Sequence, residues 1–282
     1  MQAISFIIPC YNETPAVVHK TIKDLHAVLN KIPDFLYEII LVNDSSTRYS
    51  YSEYENPAAR LITHVRQRGY GSSIYSGITH AQYDWIGIVD ADGTYPVEKF
   101  IEMIPYTDAF DMIVGKRSWG DIEVKKRLPK FILQKLASFL VKEDIPDLNS
   151  GMRLFKKYVV LEHKRIFPQG FSFTSTLTMI CATHGHPVHY IPIAYLKRIG
   201  CSHISPVQDT IGFFALVLRL SLYFRPLRFF IPLSLFFGFL AVSRGIRDVL
   251  INNYFGGLTL VLFFIAFQIF FFGLIAEIIN KK

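Results

Sequence analysis

Short apolar runs alternate with longer stretches of helical spacing through the first half of the chain. Ile4 to Ile8 reads as a strand. Thr14 and Pro15 read as the N-cap and first residue of a helix reaching about Lys31. Tyr37 to Val42, Arg60 to Val65, Trp85 to Val89 and Asp111 to Val114 read as further strands, and Gly71 to Ala81 as a second helix. This alternation predicts an α/β domain with a mostly parallel sheet flanked by helices, whose ligands bind beyond the carboxyl ends of the strands. Further on, Lys125 to Lys142 sets Leu128, Phe131, Ile132, Leu136, Phe139 and Leu140 at helical spacing. Lys125, Lys126, Arg127, Lys130 and Lys135 fill much of the rest. Such a basic amphipathic helix suits a membrane interface, and equally a core-packed helix with a solvated basic face.

The pattern changes near Arg225, after which Phe, Leu and Ile dominate. Phe255 to Ile275 is long and apolar enough to cross a hydrocarbon core of about 30 Å as a helix. Phe229 to Val242 is short for a span, but spans if it continues to about Ile251 with Arg244 and Arg247 snorkelling or facing a partner. A re-entrant or interfacial helix is the alternative there. Val207 to Phe224 runs into this segment as a second candidate surface helix, giving a juxtamembrane piece over 206–228 and two spans over about 229–251 and 255–279. The apolar tail explains a hydrophobic content of 51% with only 19% charged residues. Arg219, Arg225 and Arg228 before the first span, with Lys281 and Lys282 after the second, favour a cytoplasmic location for both flanks. Arg244 and Arg247 weaken that bias, and they leave open a contact between subunits.

The formal net charge of +7 fits an anionic membrane surface better than nucleic acid, because the basic residues cluster beside the apolar segments. No basic, cleavable leader pattern precedes the first strand, so the globular part is expected in the cytosol. Cys10, Cys181 and Cys201 have no metal-ligand spacing and read as reduced thiols.

Candidate chemistry falls at the strand ends. The first strand ends in Pro9-Cys-Tyr-Asn-Glu13, the second in Asn43-Asp-Ser-Ser46 and the fourth in Asp90-Ala-Asp92. Carboxylates two residues apart on extended chain point the same way and repel unless a cation lies between them. Hard oxygen donors suit Mg²⁺ or Mn²⁺, ions that also hold phosphates. A solvated turn is the plainer reading of Asp90 and Asp92 taken alone. Arg68-Gly-Tyr-Gly71 precedes a helix but matches neither a P-loop nor a dinucleotide fingerprint, so its glycines are read as allowing a tight turn.

Taken in order, these segments resemble family 2 glycosyltransferases of the GT-A fold, and among them the polyprenyl-phosphate glycosyltransferases similar to dolichyl-phosphate mannose synthase. Val114-Gly-Lys-Arg117, Asp147-Leu-Asn-Ser-Gly151, Ile191-Pro-Ile-Ala-Tyr195 and Arg198-Ile-Gly-Cys-Ser202 extend the resemblance over essentially the whole chain. It implies a Rossmann-like GT-A catalytic domain over 1–205 with a C-terminal transmembrane hairpin. Pro9, Tyr11, Glu13 and Asp44 are then expected to line a nucleotide pocket, with Gly71 beside it. Asp90 and Asp92 are expected to hold a divalent metal and the donor diphosphate, with Asn149 and Ser150 under the sugar. Arg117, Arg198 and Ser202, with Lys126 or Arg127, are expected at the acceptor phosphate. Asp147 is expected as a base or, preferably, an orienting group. The chain departs from the family's pattern at Asn43 (usually Asp), Thr94 (often Gln) and His203 (often Lys).

The implied reaction is inverting transfer of a sugar from a UDP- or GDP-linked donor to undecaprenyl or dolichyl phosphate. A lipid monophosphate has a second pKa of about 6 and needs no strong base. Transfer to a glycan or protein acceptor is one alternative; the chain lacks the Gln-x-x-Arg-Trp segment of processive synthases. A non-catalytic nucleotide-sugar-binding membrane subunit is another, and it predicts loss of the acids that are present here.

Overall fold

The computed structural model describes residues 3–51, 59–118, 120, 124–167, 172–196, 219 and 222–280. The chain divides into two compact units, Met1–Lys135 with Asp144–Ser205, and Leu136–Glu143 with Pro206–Lys282.

The first unit is built on a seven-stranded sheet in the order β3-β2-β1-β4-β6-β5-β7. Its elements in chain order are β1 (Ala3–Cys10), α1 (Pro15–Leu29), β2 (Leu36–Asn43), β3 (Arg60–Thr63), α2 (Tyr70–His80) and β4 (Trp85–Ile88). They continue with α3 (Phe100–Met103), β5 (Met112–Arg117), α4 (Val124–Val141), β6 (Arg153–Lys156), α5 (Lys157–Glu162), α6 (Phe173–His184) and β7 (Val188–Ile193). β1, β2, β3 and β4 pair in parallel, as do β5 and β7.

The apolar runs become strands because strands covered on both faces tolerate no alternation of polar residues. From Ile4 to Cys10 every residue of β1 is buried. In α1, Val17, Val18, Ile22, Leu25, Val28 and Leu29 form the buried stripe, with Pro15 in the first turn. The helix stops at Leu29, two residues before the expected end. β3 likewise stops at Thr63, and Val65 is fully exposed.

The sheet is mostly parallel, as expected, with the departure at one strand. β6 runs antiparallel between β4 and β5. It is four residues long with a charged residue at its start, so no periodicity marks it. Arg153 is nonetheless 0% exposed. Its guanidinium donates to the carbonyls of Ser150 and Thr174 and to the Thr178 hydroxyl. Those acceptors offset the cost of taking the cation out of water, and they tie the turn before β6 to α6.

The second unit contains α7 (Pro226–Asn252) and α8 (Gly257–Asn280). Both are long and apolar enough to cross a membrane. Most of their large side chains are exposed, among them Phe239, Leu250, Phe264 and Ile279, as in lipid-facing helices and unlike a soluble core. The first apolar segment continues unbroken through Arg244 and Arg247. Asp248 accepts hydrogen bonds from the Gly256 amide (3.0 Å) and the Thr259 hydroxyl (2.7 Å), and pairs with Arg244 (3.4 Å). It thereby caps the start of α8 from the end of α7. Within the same unit, Arg228 donates to the Leu140 carbonyl (2.7 Å).

Candidate active site

The carboxyl ends of β1, β2 and β4 are joined by side chains. Cys10 faces Asn43 across the β1–β2 ladder, and the Asp44 amide donates to the Cys10 carbonyl (2.9 Å). Asn12, at φ 55°, stitches the two ends together. Its amide donates to Ser46 Oγ (2.9 Å), and its side-chain oxygen accepts from the amides of Thr47 and Arg48, both at 2.9 Å. Tyr51 donates to the Glu13 carbonyl (2.5 Å). Pro9 is buried, and Tyr11 and Glu13 are half-buried beside it. A cleft of about 570 Å³ opens at the ends of β2 and β3, bordered by Asn43, Ser46, Arg48, Tyr51 and Thr63. None of its lining residues is an acid, so the strand-end carboxylates, not this cleft, mark the reactive end of the sheet.

Asp44 is buried and already engaged. Its carboxylate accepts from His64 Nδ1 (2.7 Å) and from the backbone amides of Arg68 (2.8 Å) and Gly69 (2.7 Å). A carboxylate only accepts, so His64 Nδ1 donates its N–H to Asp44, and Nε2 lies 2.8 Å from the Ser76 hydroxyl. Asp44 thereby clamps the Gly69 turn. Gly69 itself has φ 93° and ψ 165°, a conformation essentially restricted to glycine. The turn delivers Tyr70, whose hydroxyl donates to Asp90 Oδ1 (2.9 Å). Gly71 lies buried in the first turn of α2.

Asp90 is half-buried and Asp92 buried, just past the end of β4. Asp92 Oδ1 accepts from the Thr94 amide (3.1 Å) and hydroxyl (2.6 Å). Thr94 therefore orients the acid. A β-carbon at Gly151 would lie 2.6 Å from Asp90 Oδ2, so the turn after Asp147 presses directly on this carboxylate. The Gly151 amide donates to Tyr95 Oη (2.7 Å). The donor set is two carboxylates at one strand end, oxygen ligands of the kind Mg²⁺ and Mn²⁺ take together with phosphate oxygens. The residues fit such an ion.

Asp147 is 0% exposed. Its Oδ2 accepts from Arg117 Nε (2.8 Å) and the Arg117 amide (3.2 Å). Its Oδ1 accepts from Arg117 NH2 (2.9 Å), the Asn149 amide (3.2 Å) and the Lys130 ammonium (3.1 Å). Burial alone would raise the Asp147 pKa, but the hydrogen bonds and charge of Arg117, with the charge of Lys130, outweigh it and bring it down to about 2. A carboxylate so saturated stays ionised near neutral pH and is tied into the Arg117–Lys130 pair of cations. Arg117 also sits 5.3 Å over the Tyr195 ring, and Tyr195 packs edge-on against Tyr95 at 5.2 Å. Asn149 accepts from Ser175 (3.1 Å), and the buried Ser150 hydroxyl has no partner among the described residues.

The fold thus gathers Asp90, Asp92, Arg117, Asp147, Asn149 and Ser150 into one connected site, with Asp44 linked through the Gly69 turn. Arg127 donates to the Gly120 carbonyl (3.1 Å). Lys126 lies in α4, its side chain outside the described residues, as are Arg198 and Ser202 altogether. Leu196 itself is tied to the site, because its amide donates to the Thr94 carbonyl (2.9 Å). Sequence reasoning gave no role to Tyr70, Tyr95, Tyr195 or Lys130. Tyr70 and Tyr195 stood inside motifs already singled out, whereas nothing separated Lys130 from its basic neighbours. Cys10 and Cys181 are buried, and burial pushes their thiols up to about 11 and about 12, so both are inert.

Residues 5–163 match the profile of Glycosyl transferase family 2, and residues 225–281 match the GtrB C-terminal hairpin. A dolichyl-phosphate hexose transferase of Haloferax volcanii is 24% identical over 209 residues, 72% of this chain and 87% of that protein. The dolichyl-phosphate beta-glucosyltransferase ALG5C of Trichomonas vaginalis is 25% identical over 248 residues, 78% of this chain and 71% of that protein. Among solved structures, glucosyl-3-phosphoglycerate synthase of Mycobacterium tuberculosis with Mn²⁺, uridine diphosphate and glucosyl-3-phosphoglycerate aligns with TM-score 0.58 at 15% identity, covering 78% of each chain. The mannosyltransferase PcManGT of Pyrobaculum calidifontis with GDP-Man and Mn²⁺ aligns with TM-score 0.54 at 17% identity, covering 77% of this chain and 64% of that one. These likenesses establish the GT-A fold.

Proposed function

The chain belongs to glycosyl transferase family 2, and from that premise we propose that it transfers a sugar from a nucleotide diphosphate sugar to a polyprenyl phosphate at a membrane surface, with inversion. The observation that carries this reading is the union, in one chain, of a family 2 domain and an apolar hairpin of the GtrB type. A polyprenyl chain stays in the bilayer, so an enzyme acting on it works at the surface, and a hairpin anchor keeps it there. The names of the two relatives above, both dolichyl-phosphate transferases, support the same acceptor. The basic flanks of the hairpin support a cytoplasmic catalytic unit.

In this reading Asp90 and Asp92 hold Mg²⁺ or Mn²⁺, and such an ion, when bound, supplies Lewis-acid stabilisation of the leaving diphosphate. Tyr70 and Thr94 keep the two carboxylates aimed. Pro9, Tyr11 and Glu13 border the nucleotide, and Asp44 shapes that wall by holding the Gly69 turn. Asn149 and Ser150 lie under the sugar. Arg117, steered by Asp147 and Tyr195, faces the phosphates, and Arg198 and Ser202, with Lys126 or Arg127, complete the acceptor site. The acceptor monophosphate is already largely ionised at pH 7, so positioning and charge stabilisation replace a general base.

The test is direct. The full chain is incubated with undecaprenyl or dolichyl phosphate, Mn²⁺ and a panel of labelled nucleotide sugars, and label is sought in the organic phase. Transfer is expected from at least one UDP- or GDP-linked donor, and Asp92→Asn is expected to abolish it in a folded protein. A well-folded wild-type protein that labels no lipid from any donor sinks the acceptor assignment. An active Asp92→Asn variant sinks the metal site.

A further inference from the structure

Lys130 stands apart from the other basic residues of α4. Its side chain is only 13% exposed, and its ammonium lies 3.1 Å from Asp147 Oδ1. Arg117 alone already matches the charge of Asp147 one for one, through two side-chain hydrogen bonds. A second cation on a carboxylate with no exposure is costly to desolvate and unnecessary for neutrality.

We propose that Lys130 is a positioning residue for the transfer reaction, holding the Asp147–Gly151 turn, and through Gly151 the Asp90 carboxylate, in working register. The inference rests on the functional reading above. The turn is a stiff link. The Asn149 amide is bonded to Asp147 Oδ1, and the Gly151 amide to Tyr95. At Gly151 there is no room even for a β-carbon against Asp90. A shift of the turn is therefore passed to the metal-holding acid. Removing Lys130 leaves the Arg117 and Asn149 donors on Asp147, so the turn is expected to keep its fold while its ion pair to α4 is lost. Among the described residues, the charged groups acting on the ammonium include Asp147 from the turn and Arg117 from β5. Burial and Arg117 lower the Lys130 pKa, Asp147 opposes them, and the net direction is down.

The experiment compares wild type, Lys130→Met and Lys130→Arg as full chains in the lipid-labelling assay, with kcat, both KM values and a pH profile. Lys130→Met is expected to lower kcat roughly tenfold or more, with both KM values little changed. Lys130→Arg restores most of the rate. Since burial and Arg117 lower the Lys130 pKa, an alkaline limb set by loss of its charge is expected in wild type and is expected to move to higher pH in Lys130→Arg. An unchanged kcat in a folded Met variant overturns the proposal. So does a defect confined to the KM for the lipid phosphate, which would make Lys130 a ligand instead. If the Met variant does not fold, the Arg variant decides, since an alkaline limb identical to wild type also overturns it. A wild-type protein inert toward every donor removes the functional reading and this inference together, whereas active wild type with unaltered variants removes the inference alone.

Discussion

At the residue scale the site is governed by contacts that bring one oxygen or one missing carbon into place. Gly151 is the sharpest case. A methyl there meets Asp90 Oδ2 at 2.6 Å, well inside contact distance, so the carboxylate or the turn must move. Gly151→Ala is expected to reduce sugar transfer roughly tenfold or more and to cost about 1–3 kcal/mol of stability as overpacking. Titration of Mn²⁺ binding alongside the transfer assay checks whether the damage is at Asp90; undiminished metal affinity and rate would refute it. Asp90 and Asp92 were legible as a pair, because spacing on an extended segment is a local property. Their supports were not. Tyr70 is twenty residues before Asp90 and Gly151 is sixty-one after it, and no local pattern announces that they meet.

At the element scale the same contrast holds. β1, β2, β4 and α1 could be read from apolar runs and a 3.6-residue stripe, since each buries a regular apolar surface. β6, as short as β4, could not, because it starts with a buried arginine and ends with a lysine. Its direction is set by partners, with β4 on one side and β5 on the other. The start of α2 depends on a turn with its own demand. Gly69 occupies a backbone region open essentially to glycine, and Asp44 clamps it from β2. Gly69→Ala is expected to destabilise the protein by about 1–3 kcal/mol, read as a lower denaturation midpoint with unchanged slope. Loss of the turn also withdraws Tyr70 from Asp90, so activity should fall more than stability alone explains. The spacing over Lys125 to Lys142 predicts the helix that forms, α4, but is compatible with two environments for it. Phe131, Ile132 and Phe139 are exposed, while Leu133, Ala137 and Leu140 are buried and Lys130 turns inward.

At the scale of the whole molecule, buried ionic groups make stability depend on pH. The Asp147 pKa is about 2 in the folded protein against an ordinary value of 3.8. A depressed carboxylate pKa stabilises the fold above the unfolded value, and that stabilisation fades as pH falls from about 5 towards 2. Its size is about 2 kcal/mol. Thermal melts of wild type between neutral pH and pH 2.5 should show the loss, and Asp147→Asn should start less stable and fall less steeply; parallel curves would contradict the assignment. The sequence by itself determined the α/β class, the apolar hairpin and the acids at the strand ends. Each of these is carried by composition or by spacing within one element, where side-chain direction follows from backbone period. Only the tertiary structure decided which ends meet, that Asp147 is a buried anion held by Arg117 and Lys130, and that the Lys130 side chain turns inward rather than to solvent. Those outcomes depend on burial and on partners brought together across long sequence separations, and the energy of a charge is set by the partners it finds when water is removed.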